Sequence, residues 1–221
     1  MSDIDRLQCI DICKNCTIHR IVQRMIYDKE HCMKETNEIL PIRLARENDI
    51  PAVTAIYDKV LQEEEQGRYT IGWIRGVYPT EETARAAVAA GELFVLEIDG
   101  KVIASARINH EQMPAYARVS WSVNASDDQV MVMHTLTVDP EMSGYGAGKR
   151  FLEFYERYAL EHGSHVLRID TNERNLNARR MYAAAGYKEM GIIPCEFNGI
   201  PDVGLVCMEK LLCPHQAACR G

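Results

Sequence analysis

The sequence predicts an α+β fold in which helices flank a mixed, mostly antiparallel sheet, and three features carry that prediction. Asp99-Gly100 joins two runs of alternating apolar and polar residues, a strong local signal for an antiparallel hairpin. An apolar run at 130–138 leads through a glycine-rich segment into an amphipathic helix and on to a second apolar run at 166–170, the order of a βαβ unit. The 221 residues, 47% of them hydrophobic, suffice for one domain with a sizeable core.

In chain order, residues 42–45 read as a short first strand. Residues 47–65 carry helical spacing, with Ile50, Val53, Ile56, Tyr57, Val60 and Leu61 on one stripe. A loop spans 66–79, and Thr80 then caps a helix that runs to about Ala90 and stops at Gly91. The hairpin occupies 92–109, and residues 130–138 form the strand that enters the glycine segment. Phe151, Leu152, Tyr155, Tyr158 and Ala159 make the buried stripe of the next helix, which closes near Gly163. Residues 166–170 are a strand, 176–185 a helix ended by Gly186, and 203–210 a final strand. Residues 1–40 read as a helical, cysteine-containing extension with Met33 as an internal start, 41–212 as the main domain, and 213–221 as a Cys/His-containing tail.

Between Thr137 and Phe151 the chain reads TVDPEMSGYGAGKRF, placing Gly144, Gly146 and Gly148 between a strand and a helix. Glycine there lets the backbone turn several N–H groups toward one point, and the helix adds the positive end of its dipole. The segment therefore predicts a pocket for a phosphate or pyrophosphate. A P-loop, G-x-x-x-x-G-K-[ST], fails twice, because Ser143 and Arg150 stand at its first Gly and its Ser/Thr. The dinucleotide fingerprint G-x-G-x-x-G meets G-x-G-x-G instead, although Asp170 imitates its acidic ribose ligand. The antiparallel hairpin upstream weakens that reading further.

A third kind of loop matches better. The string HTLTVDPEMSGYGAGKRFLEF from His134 to Phe154, followed by NLNARRMYAAAGY from Asn175 to Tyr187, resembles the two signatures of the GNAT superfamily of N-acetyltransferases. In that family the first signature is Arg or Gln, two residues, Gly, one residue, then Gly or Ala; Ser143, Gly146 and Gly148 occupy those places here. The resemblance extends over residues 42–212.

It implies a GNAT-type sheet, acetyl-CoA as cosubstrate, and direct transfer of acetyl to the amine of a small molecule or peptide. It further implies that the backbone of Ser143, Gly144, Tyr145, Gly146, Ala147, Gly148 and Lys149 cradles the CoA pyrophosphate. Ser143 replaces the usual Arg or Gln, so that contact falls to the main chain rather than to a long side chain. Leu136, Thr137 and Val138 match the strand that splays from its neighbour and bonds the pantetheine arm. A free N–H at that splay can also stabilise the negative oxygen developing at the reacting carbonyl. Asn175 matches a helix N-cap that also bonds the arm. Tyr182 matches the tyrosine that returns a proton to the leaving thiolate. Its competing role is a packed core aromatic, on one helix face with Ala178, Met181 and Ala185.

The general base is less marked. His134 suits proton shuttling by its ordinary pKa, although a histidine in a strand is commonly structural. Glu196, in the CEFNGIPD stretch near the expected acceptor end, is a second candidate, with His110 and Glu111 behind it. His162 and His165 flank Gly163 beyond a helix end and are expected in solvent. Trp73 and Tyr78 are candidate walls of an acceptor pocket, whereas Glu63, Glu64 and Glu65 read better as a solvated helix end.

A formal charge of −7 argues against a nucleic-acid partner and suits a cationic amine. No apolar run reaches membrane-spanning length and the N-terminus lacks the build of a signal peptide, so no membrane partner and a cytoplasmic location are expected. A homodimer is left open. Cys9, Cys13 and Cys16 sit at helical spacing, with Cys32 further on and Cys213, His215 and Cys219 at the far end. Reduced thiols are the default for them, zinc the alternative. The rival function is a non-catalytic acyl-CoA-binding or sensing module. Direct transfer is expected over a covalent acyl carrier because no cysteine stands in a carrier motif, with Cys195 and Cys207 left open as alternatives.

Overall fold

The computed structural model describes residues 42–213. Its strands are β1 (Ile42–Leu44), β2 (Leu93–Ile98), β3 (Lys101–Asn109), β4 (Val130–Val138), β5 (Val166–Asn172), β6 (Lys188–Phe197) and β7 (Ile200–Leu211). Its helices are α1 (Ile50–Glu65), α2 (Glu81–Ala89), α3 (Ala147–Glu161) and α4 (Leu176–Ala184). The strands form one sheet in the order β1-β2-β3-β4-β5-β7-β6. Only the β4–β5 pair is parallel, as a βαβ crossover through α3 requires. The mixed, mostly antiparallel sheet expected from the sequence is therefore the sheet observed.

Local patterns account for most elements. All six apolar residues of the α1 stripe are buried, and five of them, Ile50, Val53, Ile56, Tyr57 and Val60, cluster with Ala84 and Ala87 of α2 and Leu93 and Val95 of β2. The Thr80 hydroxyl accepts the Thr83 N–H at the start of α2, 3.3 Å away. Asp99 and Gly100, at φ 50° and 75°, make the two-residue turn between β2 and β3. On α3 the stripe is buried except for Tyr158, whose half-exposed ring lies 4.9 Å from Phe94 and 3.9 Å from His162.

Strand β6 is absent from the sequence expectation. Gly191 and Pro194 interrupt its pattern, and both are tolerated because β6 is an edge strand with register shifts at Glu189/Gly191 and Cys195/Phe197. Its hairpin to β7 turns at Asn198-Gly199, both at positive φ, so β7 begins at Ile200 rather than at Val203.

Residues 113–129, for which no element was expected, carry two short 3₁₀ turns, Pro114–Arg118 and Asp127–Gln129. A buried ion pair holds them to the sheet. Arg168 of β5 meets Glu209 of β7 at 3.2 Å, both nearly inaccessible, and the Trp121 ring covers the guanidinium at 3.9 Å. Glu209 also accepts the Ser122 N–H at 3.0 Å. A buried charge pair is tolerated only when its remaining hydrogen-bonding capacity is used in this way.

The feature that positions the site is where β4 and β5 separate. They pair from Val130↔Val166 to Met133↔Ile169 and no further. Beyond that step β5 stays bonded to β7, while β4 stays bonded to β3 across an irregularity where Thr135 adopts φ 52°. A β-branched residue at positive φ is unusual, and such a bulge bends and twists its strand. The closed end of the fork is held from below. Tyr155 of α3 donates its hydroxyl to the Met131 carbonyl of β4 at 2.5 Å and lies 3.1 Å from the Arg168 carbonyl of β5. Replacing Tyr155 with Phe leaves two buried carbonyls short of that donor, and a loss of about 1–3 kcal/mol is expected. Urea unfolding measures it; an unchanged midpoint would show that the hydroxyl does not brace the fork.

Candidate active site

A cavity of about 270 Å³ opens where β4 and β5 part. One side is lined by Gly148 of α3 and by Ala178, Met181 and Tyr182 of α4. The other is lined by Trp73 and Tyr78 of the α1–α2 loop and by Ile200, Val203 and Leu205 of β7. His134, Leu136, Thr137 and Val138 of β4 form one edge of the fork, and Asp170, Thr171 and Asn172 of β5 form the other.

The glycine segment stands at the α3 end. Gly144 and Gly146 adopt φ 83° and 76°, and a Cβ built on either meets nothing within 4 Å. The backbone is left-handed and its surroundings are open, the shape of a cradle for a guest rather than of a packed turn. Gly146 caps α3 without a side-chain acceptor, so the first-turn N–H groups of the helix face outward. Gly148 is different: its Cβ would stand 2.8 Å from Met181 Sδ, so glycine there sets the close approach of α3 and α4. Ser143, Gly144, Gly146 and Lys149 are exposed, and Ala147 is buried at the helix start.

The structure also sorts the side chains. Tyr182 is 6% exposed and lines the cavity; burial raises its phenol well above the ordinary range, so it stays protonated through neutral pH. No hydrogen bond to its hydroxyl is formed by a described residue, so none of them consumes it as a structural donor. Asn175 caps α4 by accepting the Ala178 N–H at 3.2 Å and also lines the cavity. The Thr137 hydroxyl is committed to Ser105, 2.8 Å away, which leaves its main chain to face the fork.

His134 reaches the cavity, but its Nε2 lies 3.0 Å from the Asn109 side-chain oxygen, and burial with nearby Arg107 lowers its pKa to about 4. It is a neutral imidazole and a weak base. Glu196 is not brought to the cavity: it is exposed, on the face of β6 opposite Cys195 and Phe197. The His110 ring is spent on the Val130 carbonyl and Glu111 on Arg107, both at 2.7 Å. His162 and His165 are exposed, as expected.

Trp73 and Tyr78 face the cavity with their rings edge to face at 5.9 Å, and the Tyr78 hydroxyl shares a hydrogen bond with Thr135. The glutamates at the end of α1 are not simply solvated. Glu64 accepts the Ile71 and Gly72 N–H groups at 2.6 and 3.0 Å, Glu63 pairs with Arg68, and Glu65 pairs with Arg75. Three carboxylates thus clamp the loop that carries Trp73.

Sequence reasoning had considered Asp170 only as a ribose ligand. It is the first β5 residue beyond the last pairing with β4, and its Oδ2 accepts the Tyr116 hydroxyl at 2.7 Å. Burial pushes its pKa up to about 6, with the Tyr116 bond pulling the other way. An acid within the apolar strand VLRIDTN was the available signal.

Comparison with known proteins fits this geometry. The model of the acetyltransferase (GNAT) family matches residues 58–187, more than half of the chain. The chain belongs to the GNAT family. Among solved structures, a GNAT-family acetyltransferase from Streptococcus agalactiae 2603 has 20% identity and a TM-score of 0.65, covering 77% of this chain and 94% of its own. Ribosomal-protein-alanine N-acetyltransferase from Brucella melitensis has 21% identity and a TM-score of 0.59, covering 78% and 100%. YncA from Salmonella typhimurium, solved with its cofactor acetyl-CoA, has 20% identity and a TM-score of 0.57, covering 82% and 98%. No match was found among curated proteins.

Within this GNAT domain, Cys207 is buried and its thiol is pushed up to about 12, while the half-buried Cys195 is also raised by burial. Neither is a poised nucleophile. Cys213 is exposed and free; Cys9, Cys13, Cys16, Cys32, His215 and Cys219 lie outside the described residues, as does the expected helical extension. Among the described residues no group of three His, Cys, Asp or Glu side chains converges on a metal-sized site, and no helix is long and apolar enough to cross a membrane. Placing valine at Gly146 puts a β-branched residue at φ 76° inside the open cradle. The expected result is a stability loss of roughly 1–2 kcal/mol with at least tenfold weaker CoA binding by titration calorimetry. Unchanged CoA affinity would separate the glycine segment from ligand binding.

Proposed function

We propose that this GNAT domain is an acetyl-CoA-dependent N-acetyltransferase that moves acetyl directly to the amine of a small molecule or peptide. The observation that carries the reading is the β4–β5 fork, open beside a left-handed glycine cradle at a helix N-terminus. The residues suit the cosubstrate. First-turn amides of α3 and the backbone of residues 144–149 offer donors to a diphosphate without needing a cationic side chain. The free edge of Leu136, Thr137 and Val138 offers strand-like partners to the amides of a pantetheine arm. When bound, acetyl-CoA supplies an acyl group already activated as a thioester.

The chain's own groups do the rest. Tyr182 holds a proton at its hydroxyl, neutral because it is buried, for the sulfur that leaves. A main-chain N–H at the fork can donate to the carbonyl oxygen as charge develops on it. Trp73, next to the amides held by Glu64, and Tyr78, bonded to Thr135, wall off water on the acceptor side. Transfer is direct because neither cysteine near the fork is activated.

Free thiol release from acetyl-CoA over an amine panel tests the activity, and Tyr182→Phe tests the proton donor. The variant should lose about 10²-fold in kcat while its CoA dissociation constant stays unchanged. Tight CoA binding with no transfer to any amine would favour the sensing module, and a Tyr182→Phe enzyme of full activity would return Tyr182 to the role of core aromatic.

A further inference from the structure

We infer that Asp170 is the acceptor-side anchor and proton acceptor of this enzyme, and that the acceptor is a primary amine with an apolar body and no carboxylate. This rests on the acetyltransferase reading above and names its substrate class.

Geometry comes first. Asp170 stands where β5 loses β4, so its carboxylate faces the fork in which amine and thioester must meet. One oxygen, Oδ2, is occupied by the Tyr116 hydroxyl, which fixes the plane of the carboxylate. Tyr116 is itself buried, with its carbonyl held by Trp121 Nε1 at 3.1 Å and the Trp121 ring lying on Arg168. The second oxygen has no hydrogen bond to another described residue, and the cavity is its outlet.

The surroundings then specify the ligand. Among the described residues that line the cavity there is no lysine and no arginine, and Asp170 is the single carboxylate. Near Asp170 the walls are Phe197, Ile200, Val203 and Leu205 with the two aromatics of the α1–α2 loop. An ammonium finds one counter-charge and an apolar slot there. A carboxylated amine would bury its anion with no cationic partner among those lining residues, which disfavours it against the uncarboxylated amine.

The groups around Asp170 leave it as the titrating base. Tyr116 bonds it, Cys207 stands opposite on β7, Cys195, Tyr78, Tyr182 and His134 stand around it, and the exposed Arg118, bonded to the Pro194 carbonyl, acts on both cysteines from the surface. Burial keeps those tyrosines and cysteines protonated above neutral pH and His134 uncharged. Arg168, two residues earlier on the same face of β5, is neutralised by Glu209. A carboxyl titrating near pH 6 is ionised at neutral pH yet basic enough to take a proton.

The step balances. An ammonium first gives one proton to the Asp170 carboxylate, which passes it to solvent. As the C–N bond forms and the C–S bond breaks, one of the two remaining amine protons moves to Asp170, the other stays on the amide nitrogen, and the departing sulfur takes the Tyr182 proton. Asp170 then releases its proton to water and Tyr182 regains one, so amine plus thioester become amide plus thiol.

The test pairs phenethylamine with phenylalanine, which differ by the carboxylate alone, in wild type and in Asp170→Asn and Tyr116→Phe variants. Calorimetry in the presence of CoA should show phenethylamine binding at least tenfold tighter than phenylalanine, and that binding should fall at least tenfold in Asp170→Asn with CoA affinity and melting temperature unchanged. In turnover, kcat/KM should rise with pH through about 6 in wild type. That limb should vanish in Asp170→Asn, with a loss of about 10²-fold. In Tyr116→Phe it should move to higher pH, because the lost hydrogen bond favours the ionised form. Equal binding of the two ligands, or an Asp170→Asn enzyme that keeps its amine affinity or its pH limb, overturns the proposal. If wild type binds phenethylamine through Asp170 but acetylates no amine, the acetyltransferase reading fails while the anchor stands.

Discussion

The parting of β4 from β5 is the constraint on which the rest of the molecule turns. A sheet satisfies its backbone groups by pairing each strand on both sides, and a fork leaves two edges unsatisfied. Here the fork is confined. Four registered pairs hold the closed end, Tyr155 braces it through two carbonyls, and past Met133 each strand keeps its outer neighbour, β3 or β7. Two polar edges therefore face one cavity without loosening the sheet. A guest bearing amides and a terminal thioester is the complement of such an edge, and the glycine cradle supplies the charge-binding end.

Electrostatic control of the cavity comes from keeping strong charges out. Arg107 is held by Glu92 and Glu111, Arg168 by Glu209, and Arg68 and Arg75 by the glutamates of α1. The groups that do reach the cavity are neutral at working pH, with Asp170 as the exception. The exposed pairs among these contribute little to stability. Their consequence is positional, because they hold segments bordering the fork.

Legibility followed the range of the interactions. The α1 stripe, the Asp99-Gly100 hairpin and the strand–glycine–helix unit rest on contacts local in sequence, and the sequence alone placed them. Strand β6 was hidden by Gly191 and Pro194, residues that only an edge position tolerates. Its partner signal, Asn198-Gly199, is present inside the CEFNGIPD stretch, which at the level of sequence served only to place Glu196 near the expected acceptor end. Glu64 looked like surface because the amides it binds belong to a loop with no pattern of its own. Tyr116 and Asp170 are 54 residues apart, and nothing local links them. The weak basicity of His134 likewise depends on burial created by other segments.

Arg168 and Asp170 show how one strand divides its labour between stability and chemistry. They lie two residues apart on the same face of β5, and both are charged residues in an apolar run. Arg168 sits where β5 is still paired with β4, and Glu209, Gln112 and the Trp121 ring enclose it. Removing either member of such a buried pair strands its partner, so the site is fixed by folding. Asp170 sits one step past the last pairing and has a neutral phenol in place of a counter-ion. A carboxylate bonded to a phenol alone keeps unspent affinity for a cation, and the fork gives a cation its way in. The same ion pair that closes one end of β5 also seats Trp121, and through it Tyr116, against the open end. Stability at Arg168 is thereby converted into orientation at Asp170, which is why a charge that would be a liability in a continuous sheet is tolerable where the sheet divides.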